Sequence, residues 1–221
     1  MTTTPPAAVL WDMDGTLVDT EPYWLTAEQE LVISWGGEWT HEDGLTLVGS
    51  GLWHTARVLQ SRGVGLGEGE IIELLTDRVL EQLIAQGIPW RPGARELLTE
   101  IRRAGIPTAL VTMSISRMAR HVADQLGPDG FDQVVSGDEV THSKPHPEPY
   151  LRSAELLGVD IRECVAIEDS QPGIASAVAS GATVVGVPFM GEMPPLEGWT
   201  LWPTLAGRTL ADLRVLIGAR A

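Results

Sequence analysis

Two aspartates, Asp12 and Asp14, stand two residues apart, directly after an apolar run and just before Gly15. Carboxylates at that spacing converge on one point only if the chain turns, and glycine permits the turn. Such a pair suits a hard divalent cation together with an aspartate nucleophile; an Asp-Gly turn carrying two solvated acids is the plainer alternative. A second acidic pair, Glu168-Asp169, follows another apolar run. Those acids would equally serve as the first residues of a helix, stabilised by its dipole. Between the two pairs lies Lys144, the single lysine among 15 Lys and Arg residues. Its setting, His142-Ser143-Lys144-Pro145-His146-Pro147, is too rich in proline for a helix interior. A chain that uses arginine everywhere else needs a compact, flexible ammonium at that point, unless the count is chance in an arginine-biased composition. Thr112 and Ser114 follow a further apolar run, where hydroxyls commonly cap a helix.

The elements that must position these residues are legible as a series. Ala7 to Trp11, Thr108 to Val111, Gln133 to Val135, Cys164 to Ile167 and Thr183 to Val187 are short apolar runs that read as buried strands. Helical patterns separate the later ones, at Ala94 to Ala104, Ser116 to Leu126, Glu148 to Leu157 and Gly173 to Ala179. Strands alternating with helices predict an α/β fold, a doubly wound parallel sheet with a Rossmann-like core. Ligands of such sheets bind beyond the carboxyl ends of the strands, where the acidic pairs fall. From about Pro22 to Ile88 only amphipathic helical stretches occur, at Tyr23 to Trp35, Leu52 to Ser61 and Gly69 to Gln86. This predicts an inserted α-helical cap domain at 21–89, with 1–20 and 90–221 forming the α/β core domain. A tail with Pro194, Pro195 and Pro203 precedes a last helical pattern, Leu210 to Ile217.

Composition narrows the function classes. A chain of 221 residues with 43% hydrophobic and 20% charged residues is an ordinary globular protein with one good core and room for a small appended domain. A formal net charge of −15 argues against nucleic acid and anionic membranes as partners. No apolar run approaches the ~20 residues of a membrane helix, and the N-terminus lacks a signal-peptide pattern, so a cytoplasmic location is expected. The lone Cys164 reads as a small buried hydrophobe. A monomer is expected, weak dimerisation being the alternative.

Trp11-Asp12-Met13-Asp14-Gly15-Thr16-Leu17-Val18-Asp19-Thr20-Glu21 resembles the first motif of the haloacid dehalogenase-like hydrolase superfamily, and more narrowly its phosphoglycolate phosphatase and β-phosphoglucomutase branch. Leu110 to Ser114, Lys144-Pro145 and Ile167 to Ile174 match the three further motifs in order. The resemblance covers essentially the whole chain, helical cap included. It implies a Mg²⁺-dependent phosphatase acting on a small phosphorylated metabolite through an aspartyl-phosphate. By resemblance, Asp12 is the nucleophile, and Asp14 protonates the leaving oxygen and then activates water. Asp12, the Asp14 carbonyl, Glu168 and Asp169 hold Mg²⁺. Lys144 and the Thr112 hydroxyl hold the phosphoryl oxygens, aided by amides near Met13, Met113 and Ser114.

In this branch the cap chooses the substrate. Glu21 at the first hinge is expected either to face the leaving group or to start a helix. Val48-Gly49-Ser50-Gly51-Leu52-Trp53-His54 resembles the cap loop that dips into the site, which makes Gly49, Trp53 and His54 candidate substrate contacts. The mutase pattern places an arginine in this loop, and its absence here weakens a β-phosphoglucomutase-type activity, the alternative reading. Trp24, Trp35, Trp39 and Trp53 are expected to fill the cap core, with Trp53 and Trp24 facing substrate as the alternative. His41, His121, His142 and His146 are expected at the surface or in loops, without metal-ligand spacing. A cap without lysine excludes a Schiff-base phosphonatase. The rival of another class is a non-catalytic protein binding a phosphometabolite or a protein partner.

Overall fold

The computed structural model describes residues 4–190 and 197–220. Pro194 and Pro195 of the expected tail lie outside the described residues. Contacts divide the chain into two compact units, Met1–Val18 with Trp90–Ala221, and Asp19–Pro89.

The smaller unit is helical throughout, with α1 (Glu21–Ser34), α2 (His41–Leu45), α3 (Leu52–Ser61) and α4 (Glu68–Gln86). Its apolar stripes meet through Leu31, Ala56, Leu59, Ile71, Leu75, Val79 and Leu83, all buried. The five-residue α2 escaped sequence reading because it holds no apolar period. It forms around a capping box, in which Thr40 Oγ1 accepts from the Asp43 amide and Asp43 Oδ2 accepts from the Thr40 amide. Only two of the four cap tryptophans are core: Trp24 and Trp39 are buried, whereas Trp35 and Trp53 remain 46% and 49% exposed. This corrects the expectation that all four fill the interior.

In the larger unit, β1 (Ala8–Trp11), β2 (Thr108–Val111), β3 (Gln133–Val135), β4 (Cys164–Glu168), β5 (Thr183–Gly186) and β6 (Trp199–Leu201) form one parallel sheet. The order is β3-β2-β1-β4-β5-β6, the doubly wound arrangement, with the reversal of direction beside β1. Strands β1, β2, β4 and β5 are buried along their whole length, as a parallel sheet covered on both faces requires. The edge strand β6 was not read from sequence, because Trp199-Thr200-Leu201 is short and only partly buried. Helices α5 (Ala94–Arg103), α6 (Ser116–Asp124), α7 (Glu148–Leu157), α8 (Gln171–Ser180) and α9 (Leu210–Arg220) complete the unit. No helix among the described residues is long and apolar enough to cross a membrane.

One face of the sheet presents Ala8, Leu10, Ala109, Val111, Cys164, Ala166 and Val184 to Tyr150 and Ala154 of α7 and Ile174 and Ala177 of α8. Cys164 is buried among them, as expected of a small hydrophobe. Register then sets the chemistry. Trp11 pairs with Ile167 in β4 and Leu110 in β2, so Asp12, the next residue, emerges beside Glu168 and Val111. The Asp12 amide donates to the Ile167 carbonyl at 3.0 Å and continues the ladder past the strand end.

Leu10 lies at the centre of this cluster with no exposed surface. Leu10→Ala is expected to cost about 2–5 kcal/mol. A chain of this size loses about 2–4 °C in Tm per kcal/mol. A thermal melt that leaves Tm unchanged would show that the sheet tolerates the cavity.

Candidate active site

Lys144 is where the sequence signals meet. Its Nζ donates to Asp12 Oδ1 at 2.7 Å, to Glu168 Oε1 at 2.7 Å and to the Val111 carbonyl at 2.9 Å. An ammonium has three protons, and all three are used. The side chain is only 5% exposed. Burial alone would pull the ammonium below its ordinary pKa, but the Asp12 and Glu168 carboxylates outweigh it and hold Lys144 above that value. Arginine's planar fork would not reach three acceptors so arranged, which gives the solitary lysine a physical reason.

Glu168, at the end of β4, is wholly buried. Its Oε1 accepts from Lys144 and from the Tyr150 hydroxyl at 2.7 Å. Its Oε2 accepts from the amides of Asp169 and Ser170 at 3.1 and 3.4 Å and from Ser170 Oγ at 3.3 Å. Burial and then Glu168 keep the Tyr150 phenol protonated, well above its ordinary pKa, as a donor must be. Gly173 in α8 makes room for this carboxylate, because a Cβ there would lie 2.0 Å from Glu168 Oε1.

The second aspartate of the first motif has a different environment. Asp14 Oδ2 accepts from Thr112 Oγ1 at 3.1 Å and Ser114 Oγ at 2.7 Å. Thr112 Oγ1 in turn accepts from the Ser114 amide at 3.0 Å. Both hydroxyls thus engage Asp14 and neither caps α6. Met113 Sδ accepts from the Lys144 amide at 3.3 Å, and Met13 is buried. Asp169 Oδ1 accepts from Thr16 Oγ1 at 3.2 Å. Gly15, at φ 86°, lets the turn pass so close that a Cβ would meet Asp169 Oδ2 at 2.1 Å.

Oxygens of Asp12, Glu168 and Asp169 lie within 4.8 Å of one another. Asp12 Oδ2 is buried and has no hydrogen-bond partner among the described residues. Burial and the Glu168 carboxylate push the Asp12 carboxyl up to about 7, against the opposing pull of Lys144. A buried oxygen without a donor, with oxygens of two further carboxylates close by, fits a divalent cation. Both Glu168 oxygens already accept protein hydrogen bonds, so Asp12 Oδ2 is the more open ligand atom of the two residues.

The fold therefore brings together Asp12, Asp14, Thr112, Ser114, Lys144, Glu168 and Asp169. Glu21, Gly49, Trp53 and His54 belong to the helical unit. There Glu21 is the buried first residue of α1, Gly49 takes φ 74° before α3, and Trp53 and His54 are exposed in the first turn of α3. Sequence reasoning missed Tyr150, Thr16 and Ser170. Thr16 and Ser170 stood inside the motifs, whereas nothing in the sequence marked Tyr150. The histidine expectation is corrected in one respect: His142 and His146 are exposed, but their spacing does bring them together with Glu148.

A carboxyl whose folded pKa lies above its unfolded value penalises folding once it ionises. For Asp12 the penalty begins near the ordinary 3.8, grows up to about 7 and then stays constant. In chelator-treated protein, Asp12→Asn is expected to melt above the parent at about pH 8, by at least ~2 °C. The advantage should shrink as pH falls toward about 4; a gap of constant size in melts across this range would contradict the burial of an ionised Asp12.

A model of the haloacid dehalogenase-like hydrolase family matches residues 6–181. Protein CbbY of Rhodobacter capsulatus is 31% identical over 192 residues, which cover 82% of this chain and 85% of that protein. Hexitol phosphatase A of Escherichia coli K12 is 33% identical over 197 residues, covering 85% and 86%. Among solved structures, a mutant of CbbY from Rhodobacter sphaeroides in complex with xylulose-(1,5)bisphosphate aligns with a TM-score of 0.82 at 25% identity, covering 91% of this chain and 96% of that one. With its motifs converging at the carboxyl ends of β1, β2 and β4, the chain belongs to the haloacid dehalogenase-like hydrolase family.

Proposed function

We propose that the protein is a Mg²⁺-dependent phosphatase that hydrolyses a small phosphorylated carbohydrate through an aspartyl-phosphate on Asp12. The observation that carries this reading is the Asp12 carboxylate itself, with one oxygen on the Lys144 ammonium and the other buried without a donor. Relatives named as a hexitol phosphatase and as CbbY, the latter seen with a sugar bisphosphate, support the substrate class.

Asp12, Asp169, Glu168 and the Asp14 carbonyl would hold Mg²⁺, which when bound offsets the charge of a dianionic phosphate and orients it. Lys144 shields the attacking carboxylate from the incoming phosphate charge. The Asp12 carboxylate forms a bond to phosphorus as the ester oxygen leaves, and that oxygen takes a proton from Asp14. Asp14, now ionised, removes a proton from a water molecule as the water attacks the aspartyl-phosphate. The P–O bond to Asp12 breaks and inorganic phosphate is released. In this scheme Thr112 exchanges its hydrogen bond to Asp14 for one to a phosphoryl oxygen, which frees Asp14 for proton transfer once substrate arrives.

The test is phosphate release from a panel of pentose, hexose and hexitol phosphates with Mg²⁺. Chelation should abolish release and Mg²⁺ restore it. Asp12→Asn should fall to background, and Asp14→Asn should lose roughly 10²–10⁴-fold. Asp12→Asn turning over like the parent would exclude the covalent route. Conversion of a sugar phosphate to its isomer without free phosphate would instead establish the mutase. Lys144→Arg is expected to be as inactive as Lys144→Ala, since charge without the three-way geometry does not seat Asp12. Recovery of activity by arginine would show that charge alone suffices.

A further inference from the structure

We infer that His142, His146 and Glu148 form a second metal site, separate from the carboxylate cluster, which takes a borderline divalent transition ion, Zn²⁺ above all. The ligands would be one nitrogen from each imidazole, one Glu148 oxygen and water. Two histidines with one carboxylate and an open position are a donor set that zinc accepts and Mg²⁺ does not seek. The inference does not depend on the proposed phosphatase activity, because none of the three residues belongs to that site.

A nitrogen of each ring and an oxygen of Glu148 already lie within 4.8 Å of one another. His142 Nδ1 and Glu148 Oε2 are 2.7 Å apart, and the two rings stack with centroids 4.5 Å apart at 30°. Side-chain rotation is enough to bring the donors to ~2.0–2.2 Å from a shared ion. An ion between His142 Nδ1 and the carboxylate takes the place of the hydrogen-bonded proton, which moves to the ring's other nitrogen.

The surroundings hold the donors ready. Glu148 Oε1 accepts from the Thr141 amide at 2.7 Å and Oε2 from the His142 amide at 2.9 Å, so the carboxylate is oriented before any ion arrives. His146 Nδ1 accepts from the Glu148 amide at 3.2 Å, a bond that orients the ring and that an ion on this nitrogen would replace. The His146 backbone is tied down twice, its amide donating to the Ser143 carbonyl at 3.0 Å and its carbonyl accepting from Ser176 Oγ at 2.6 Å. The nearest cation along the chain does not oppose binding, because the Lys144 ammonium is turned inward to Asp12 and Glu168.

The placement has a consequence. His142 and His146 stand two residues on either side of Lys144. An ion held by both clamps the loop whose centre supplies the ammonium to Asp12, so occupancy should stabilise the fold around that loop.

The experiment titrates the metal-stripped full chain with Zn²⁺ by calorimetry in a large excess of Mg²⁺, which fills the carboxylate cluster. One Zn²⁺ per chain is expected, together with a rise in Tm. His142→Ala and His146→Ala should each weaken uptake by roughly 10–100-fold and lose the rise, while melting like the parent when zinc is absent. Asp169→Asn should keep the zinc equivalent, which separates this site from the carboxylate cluster. No zinc uptake by the parent, parent-like uptake by either histidine variant, or loss of uptake in Asp169→Asn would each overturn the assignment.

Discussion

A buried ammonium shared between two buried carboxylates is the constraint on which the candidate site rests. Each of the three charges loses hydration on folding, and only their mutual placement offsets that cost. Lys144 meets it by donating to Asp12, to Glu168 and to a backbone carbonyl, so no proton is left without an acceptor. Deleting an acceptor outright from such a group typically costs about 3–5 kcal/mol, because a charge is then stranded, whereas an isosteric amide keeps an oxygen for the ammonium. The geometry is therefore self-enforcing, and the loop carrying Lys144 is held by the same bonds that prepare Asp12.

The arrangement leaves one oxygen of Asp12 without a donor among the described residues. The other accepts from the ammonium that Glu168 shares. Burial, and then the Glu168 carboxylate, raise the Asp12 carboxyl to about 7. Two glycines keep the cluster tight. Gly15 and Gly173 stand where any Cβ would collide with Asp169 or Glu168. Both were visible in the motifs, but the reason for them is a distance across the fold.

The parallel sheet does the positioning. Its register puts the residue after β1 beside the last residue of β4, and the same sheet face carries Tyr150 from α7 beneath Glu168. Rigid strands hold the acids, while the ammonium arrives on a loop that proline keeps out of helix. Ligand sites at the carboxyl ends of such strands follow from this division of labour.

The sequence by itself determined what is local: apolar runs for five strands, amphipathic periods for the helices, and the residue types in four short motifs. Those signals suffice because strand burial and helix periodicity are written within a dozen residues. Elements without a period, α2 and β6, stayed invisible. Only the tertiary structure decided which donor meets which acceptor, because the decisive pairs are far apart in sequence: 132 residues for Lys144 and Asp12, 153 for Thr16 and Asp169. Strand register and the pitch of α7 set those distances, and neither is encoded in any one segment. The same reason explains why Tyr150 carried no signal and why two cap tryptophans lie at the surface, whereas His142, His146 and Glu148 converge locally, through a turn that residue spacing alone did not reveal.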